Sequence, residues 1–152
     1  MSIALQDDAI PICVTTARRV PKRYEPESKR TIQELIERQV IAPVDEPTTW
    51  CSPVFFIPKA DGKHVHLVTG FTALNKFVKR PTHPFLSTRE IIEAIPPEAK
   101  LFCKLDAVHG YFQLALDEQS SRLTTFLIQQ GRFRYLGAPM GLNASSDEWC
   151  RQ

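Results

Sequence analysis

The chain has 152 residues, of which 43% are hydrophobic and 24% charged, a balance that excludes a wholly disordered chain, a collagen-like chain and a long coiled coil. Lys and Arg number 19 against 17 Asp and Glu, so the net charge of +2 is too small to mark a nucleic-acid binder by itself. The apolar run over 53–58 falls far short of the roughly 20 residues that span a bilayer, so no membrane partner is expected. No apolar block follows Met1, so no secretory signal is expected and the chain reads as intracellular, cytoplasmic or nuclear.

Twelve prolines against six glycines imply short elements joined by stiff connections. Residues 1–27 read as an extended N-terminal arm. Over 28–41, Ile32, Leu35, Ile36 and Val40 recur at helical spacing; either Ser28 or Thr31 caps this helix, Glu34 completes a capping box with Thr31, and Pro43 ends it. Residues 51–57 and 64–71 read as two strands of a hairpin around Ala60-Asp61-Gly62-Lys63. Residues 75–85 are basic and proline-bearing and read as a loop. Ser87 and Glu90 frame a short helix to Ile95, before Pro96-Pro97. Residues 101–106 read as a strand, 117–122 as a helical turn, and 123–128 with 132–136 as a hairpin around Gln129-Gln130-Gly131. Asn143 caps a last helix. Helices alternating with antiparallel hairpins indicate an α+β fold.

Two basic clusters stand out. One holds Arg18, Arg19, Lys22, Arg23, Lys29 and Arg30, and the other Lys76, Lys79 and Arg80. Each suits either phosphate contact or a solvated face. Cys13, Cys51, Cys103 and Cys150 are widely spaced with no Cys-x-x-Cys pair, and read as reduced thiols. His64, His66, His83 and His109 do not fall at zinc-finger spacing.

Asp106 is the most informative residue. A carboxylate at a strand's end serves either as an oxygen ligand for Mg²⁺ or as the cap of the next turn. The run Ala107-Val108-His109-Gly110-Tyr111-Phe112-Gln113 follows it. Gly110 permits close backbone approach, and the N–H groups from Val108 to Gly110 suit a triphosphate. Tyr111 then lies against a sugar or packs in the core; Phe112 reads as core.

With these residues the segment resembles the first conserved block of reverse transcriptases, in particular those of gypsy-type long-terminal-repeat retrotransposons. Three further blocks agree in order and spacing: Thr49-Trp50-Cys51-Ser52-Pro53-Val54 with Ile57-Pro58-Lys59-Ala60-Asp61-Gly62-Lys63; the stretch from Leu67 to Lys76; and Gly131-Arg132-Phe133-Arg134-Tyr135 with Ala138-Pro139-Met140-Gly141-Leu142-Asn143-Ala144. The resemblance runs from about Pro11 to Gln152. It implies a fingers subdomain over about 28–100 and the start of a palm over about 101–152. The implied reaction is template-directed DNA synthesis by two-metal phosphoryl transfer with Mg²⁺, on an RNA or DNA template-primer and deoxynucleoside triphosphates.

Carried over by position, Asp106 resembles the first metal-binding aspartate and Ala107 offers a backbone carbonyl to the nucleotide-bound metal. His109 and Gly110 offer N–H groups to phosphate. Tyr111 resembles the residue that excludes a ribose 2′-hydroxyl, and Lys59 the fingers lysine that meets the γ-phosphate. Met140 and Gly141 lie by nucleotide and template. His66 stands where many members have an Arg that touches phosphate, and neutral His replaces that guanidinium poorly. Gly70 stands where Asp is usual.

The family's second carboxylate pair lies in a Tyr-x-Asp-Asp hairpin that this sequence does not contain. The expectation is therefore a truncated reverse transcriptase, inactive alone, whose exposed palm edge invites self-association. The competing readings are a non-catalytic nucleic-acid or nucleotide-binding remnant and a protein-interaction module.

Overall fold

Two antiparallel hairpins carry most of the strand content of the protein, whose computed structural model describes residues 1–80, 87–104 and 106–151. The loop expected over 75–85 is therefore followed only to Arg80, and His83, Leu105 and Gln152 lie outside the described residues. The elements in order are α1 (Glu25–Glu37), β1 (Ile41–Pro43), β2 (Val54–Pro58), β3 (Val65–Thr69), α2 (Thr72–Asn75), α3 (Thr88–Glu93), α4 (Glu118–Leu123), β4 (Phe126–Ile128), β5 (Gly131–Tyr135) and α5 (Asn143–Arg151). The α+β class expected from the sequence holds.

The first hairpin pairs Val54 with Thr69 and Pro58 with Val65. Val65, Leu67 and Thr69 are buried while His66 between them is exposed, the period of two that a half-buried strand requires. Its turn forms as the Asp-Gly pair dictates. The Asp61 carboxylate accepts the N–H groups of Lys63 (2.9 Å) and His64 (3.0 Å), and Gly62 takes φ +64°.

The second sheet has the order β1-β5-β4, with Ile41 opposite Tyr135 and Phe126 opposite Phe133. Phe126 is fully buried, with its ring centroid 5.2 Å from that of Tyr135 and 6.1 Å from that of Phe133. Ser52 meets Phe126 across a parallel bridge, its N–H donating to Thr125 O at 2.8 Å, and this ties the first hairpin to the second sheet. Ile32, Ile41, Val54, Phe71, Leu74 and Leu142 fill the core between them.

Two sequence expectations are corrected here. Helix α1 begins at Glu25, inside the stretch read as arm, with Pro26 in its first turn. Neither Ser28 nor Thr31 is a cap: both lie within the helix, the buried Ser28 donating from Oγ back to Glu25 O at 2.8 Å and Thr31 from Oγ1 back to Glu27 O at 2.9 Å. The helix stops at Glu37 rather than near Pro43. Gln39 takes φ 55°, and the N–H groups of Gln39 and Val40 donate to Ile36 O and Leu35 O, each at 2.9 Å. This Schellman closure frees Ile41–Pro43 to become β1.

The second correction concerns the strand expected over 101–106. Residues 101–104 and 106 lie in no strand. Among the described residues nothing pairs with them in a ladder, and an apolar run without a partner strand leaves its backbone groups to solvent. Leu101 and Phe102 are accordingly 93% and 73% exposed. Asp106 is thus a carboxylate on an irregular segment, not a strand-borne one. The capping box of α3 forms as expected, Ser87 Oγ accepting Glu90 N–H (3.3 Å) and Glu90 Oε2 accepting Ser87 N–H (2.6 Å), although the helix ends at Glu93 rather than Ile95.

Candidate active site

After Asp106 and Ala107 the chain reverses at Val108 and His109 and enters a 3-10 turn over Gly110–Gln113. His109 takes φ 53° and ψ 43°, a left-handed conformation that costs a non-glycine residue about 1 kcal/mol. Neighbouring bonds hold it there. Phe112 N–H donates to His109 O (2.9 Å), and Gln113 Nε2 donates to Val108 O (3.0 Å). Phe112 anchors the turn, stacked on Tyr135 with centroids 6.1 Å apart, and so packs against the core as its sequence reading required. Gly137 admits this turn: a Cβ there would lie 2.3 Å from Phe112 O.

Helix α5 forms the other wall. Tyr111 OH lies 3.4 Å from Ser146 Oγ, and its ring meets Trp149 edge-on, with centroids 6.1 Å apart at 79°. A Cβ at Gly110 would meet the Trp149 ring at 2.9 Å, so a glycine lets the turn sit against the helix. Arg80 fixes α5 in turn, its Nε and Nη2 each donating to the buried Asp147 carboxylate at 2.9 Å. The Met140–Gly141 corner is held by Asn75, whose Nδ2 donates to Gly141 O (2.8 Å) while its Oδ1 accepts Asn143 N–H (3.0 Å). Gly141 takes φ +83°.

These contacts shape an open depression of about 410 Å³ lined by Asp106, Ala107, His109, Gly110, Tyr111, Met140 and Trp149. A second depression of about 200 Å³ is lined by Lys59, His66, His109 and Met140 together with Arg30 and other side chains of α1 and with Arg38 just beyond its end. His109 and Met140 line both, so the two adjoin. Asp106, Lys59 and His66 are exposed, and Tyr111 is half-buried. Gly141 lies beside Met140 at the corner but does not line the first depression. Sequence reading missed Asn75, Ser146, Asp147 and Trp149, and it gave Arg80 as a phosphate contact or solvated cation rather than the partner of Asp147. Their roles come from packing between distant segments, and no local spacing announces them.

The donor set does not fit a two-magnesium centre. Among the described residues Asp106 is the one carboxylate lining the first depression, and no group of three or more of their His, Cys, Asp or Glu side chains could hold a metal. The next acids in sequence are engaged elsewhere. Asp117 caps α4 through Ser120 N–H (2.8 Å), and Glu118 pairs with Arg134 (2.7 Å) and Arg122 (3.1 Å). Among the described residues no helix is long and apolar enough to cross a membrane.

No family model matches the chain. It is 28% identical over 154 residues to the retrovirus-related Pol polyprotein from transposon 412 of Drosophila melanogaster, an alignment covering 98% of this chain and 12% of that polyprotein. It is 30% identical over 145 residues to the enzymatic polyprotein of Cauliflower mosaic virus (strain Strasbourg), covering 93% of this chain and 21% of that one. The chain therefore spans about a fifth or less of the length of these relatives. Among solved structures it superposes on prototype foamy virus protease-reverse transcriptase with a TM-score of 0.76 at 21% identity, over 95% of this chain and 19% of the other. A foamy viral protease-reverse transcriptase in complex with an RNA/DNA hybrid gives a TM-score of 0.74 at 15% identity, again over 95% and 19%. The chain is thus similar in sequence to segments of Pol-type polyproteins, and its fold is the one that foamy virus protease-reverse transcriptase has over the matching segment.

Proposed function

We propose that this chain is the fingers (about 28–100) and the first part of the palm (about 101–152) of a reverse transcriptase from a gypsy-type retrotransposon. On this reading it grips a template-primer and a deoxynucleoside triphosphate for template-directed DNA synthesis. One observation carries the reading: Asp106, Tyr111 and Met140 border a single depression that adjoins, through His109 and Met140, the groove of Lys59 and His66. A triphosphate lying across that junction would have its charge met by the Lys59 ammonium and its sugar against the Tyr111 ring. Ser146 and Trp149 hold that ring in place. Met140 and Gly141 would then support the templating pair, with Asn75 fixing their backbone.

Asp106 is the residue we assign to a magnesium ion, whose role in such sites is to neutralise charge developing on phosphate oxygens. A single carboxylate cannot hold the pair of ions that this chemistry uses, so the chain alone is assigned binding without catalysis. The test is template-directed incorporation of a labelled deoxynucleotide with Mg²⁺ or Mn²⁺, run beside Asp106→Asn. Both proteins should give background only. Incorporation well above background that disappears in Asp106→Asn would overturn the assignment of inactivity. A salt titration of primer–template binding tests the gripping role. Primer–template affinity should fall with rising salt, deoxynucleoside triphosphate affinity should fall in Lys59→Ala, and equal triphosphate affinities for the two proteins would remove Lys59 from the site.

A further inference from the structure

Cys13 and Cys51 share no spacing motif, but the fold makes them direct partners across an isolated parallel bridge. Cys51 N–H donates to Ile12 O (3.0 Å) and Val14 N–H donates to Cys51 O (2.9 Å). These bonds bracket Cys13, so both residues occupy one rung and their side chains leave the ladder on the same side. Paired backbones run about 4.8 Å apart, inside the Cα spacing of about 4.4–6.8 Å that a disulfide bridges. Cys13 is exposed and Cys51 buried, and both are free thiols. Burial, with the Cys13 thiol beside it as the next cause, pushes the Cys51 thiol up to about 11.

We propose that Cys13 and Cys51 are a redox pair that closes to a disulfide by exchange with a small-molecule disulfide such as oxidised glutathione, tying the N-terminal arm to the chain just before β2. The exposed Cys13 thiolate attacks one glutathione sulfur. The glutathione disulfide breaks, and the departing thiolate takes up a proton. Cys51 then loses its proton to solvent and attacks the Cys13 sulfur of the mixed disulfide, expelling the second glutathione thiolate, which is protonated in its turn. Two protein thiols are oxidised and one glutathione disulfide is reduced to two thiols. The order follows from access, because a peptide disulfide reaches Cys13 but not Cys51. Beyond the tether, Arg18 already lies over the Phe55 ring of β2 at 4.1 Å, so closure would fix one end of this stretch of arm just before β2 while the other end rests on β2.

The test is to titrate the full chain with oxidised and reduced glutathione, alkylate the remaining thiols, digest with trypsin without reduction and read the masses. The expected product is peptide 1–18 joined to peptide 39–59 with the mass of two hydrogens lost, and Cys103→Ser/Cys150→Ser should give the same product. Cys51→Ser should stop at glutathione on Cys13, and Cys13→Ser should give no link. The proposal is overturned if Cys13 and Cys51 both alkylate across the range in which Cys103 and Cys150 oxidise. Glutathione persisting on Cys13 while Cys51 is present would overturn it equally.

Discussion

Gly137→Ala should destabilise the protein by pushing the Phe112 turn off the second sheet. The added methyl would sit 2.3 Å from Phe112 O and 3.0 Å from Phe112 C and Cα. All three are backbone atoms, so no rotamer change relieves the overlap and the turn must retreat by roughly 1 Å. The bonds flanking the contact, Leu116 N–H to Leu136 O (2.8 Å) and Ala138 N–H to Leu114 O (2.9 Å), stretch with it. Losing both costs about 1 kcal/mol each, and overpacking adds about 1–3 kcal/mol. A total of roughly 3–5 kcal/mol corresponds to a Tm lower by roughly 10 °C in a domain of this size. Thermal melting followed by circular dichroism measures it, with Gly62→Ala as the control. Gly62 has open space around it and only its φ of +64° to lose, a cost of about 1 kcal/mol. The Trp149 fluorescence of Gly137→Ala should shift too, since the displaced turn carries Tyr111 away from that ring. A Gly137→Ala protein that melts with wild type, or above Gly62→Ala, would refute the close approach.

Tyr135→Phe removes the partner of the buried Thr69 hydroxyl (2.9 Å) and should cost about 1–3 kcal/mol in urea unfolding; Thr69→Val/Tyr135→Phe, which removes both polar groups, should recover part of that loss. Burial pushes the Tyr135 phenol up to about 12, so an alkaline absorbance titration should find one tyrosine that ionises only there. Asp117 is held below its usual value of 3.8, first by the Ser120 backbone N–H. A depressed carboxylate stabilises the fold fully above its unfolded pKa and loses that contribution as pH falls through the lower folded value. The advantage of wild type over Asp117→Asn in urea midpoints should therefore be constant near neutrality and shrink below about pH 4; an advantage that grows on acidification would reverse the sign.

Local chemistry made the hairpins legible. Asp61-Gly62 dictates its own turn, and alternation from Val65 to Thr69 dictates which side chains go inward. The Ser87–Glu90 box was legible for the same reason. Helix α1 was misjudged at both ends because Ser28 has the residue type of a cap but bonds back inside the helix, and because Gln39 closes the helix in a conformation usually left to glycine. The strand read over 101–106 failed because apolar periodicity says nothing about whether a neighbouring strand is present. At the candidate site, Asp106, Tyr111 and Lys59 were singled out through ordered blocks of resemblance. The residues that shape the walls of the first depression (Asn75, Arg80, Asp147 and Trp149) act through contacts between segments far apart in sequence. The Cys13–Cys51 rung was invisible for the same reason.

If the chain grips a primer–template as proposed, the primer 3′ end lies beside Asp106, the residue assigned to magnesium in the open depression. Photo-crosslinking tests it directly, using a primer–template whose 3′-terminal primer nucleotide carries a 4-thiothymine base, with adducts mapped by mass spectrometry. The account predicts adducts within 106–111 and 140–149, reduced when the complex is formed at high salt. Adducts confined instead to the larger depression of about 480 Å³ formed by Pro47, Thr48, Trp50, Glu118 and Arg122 would contradict it.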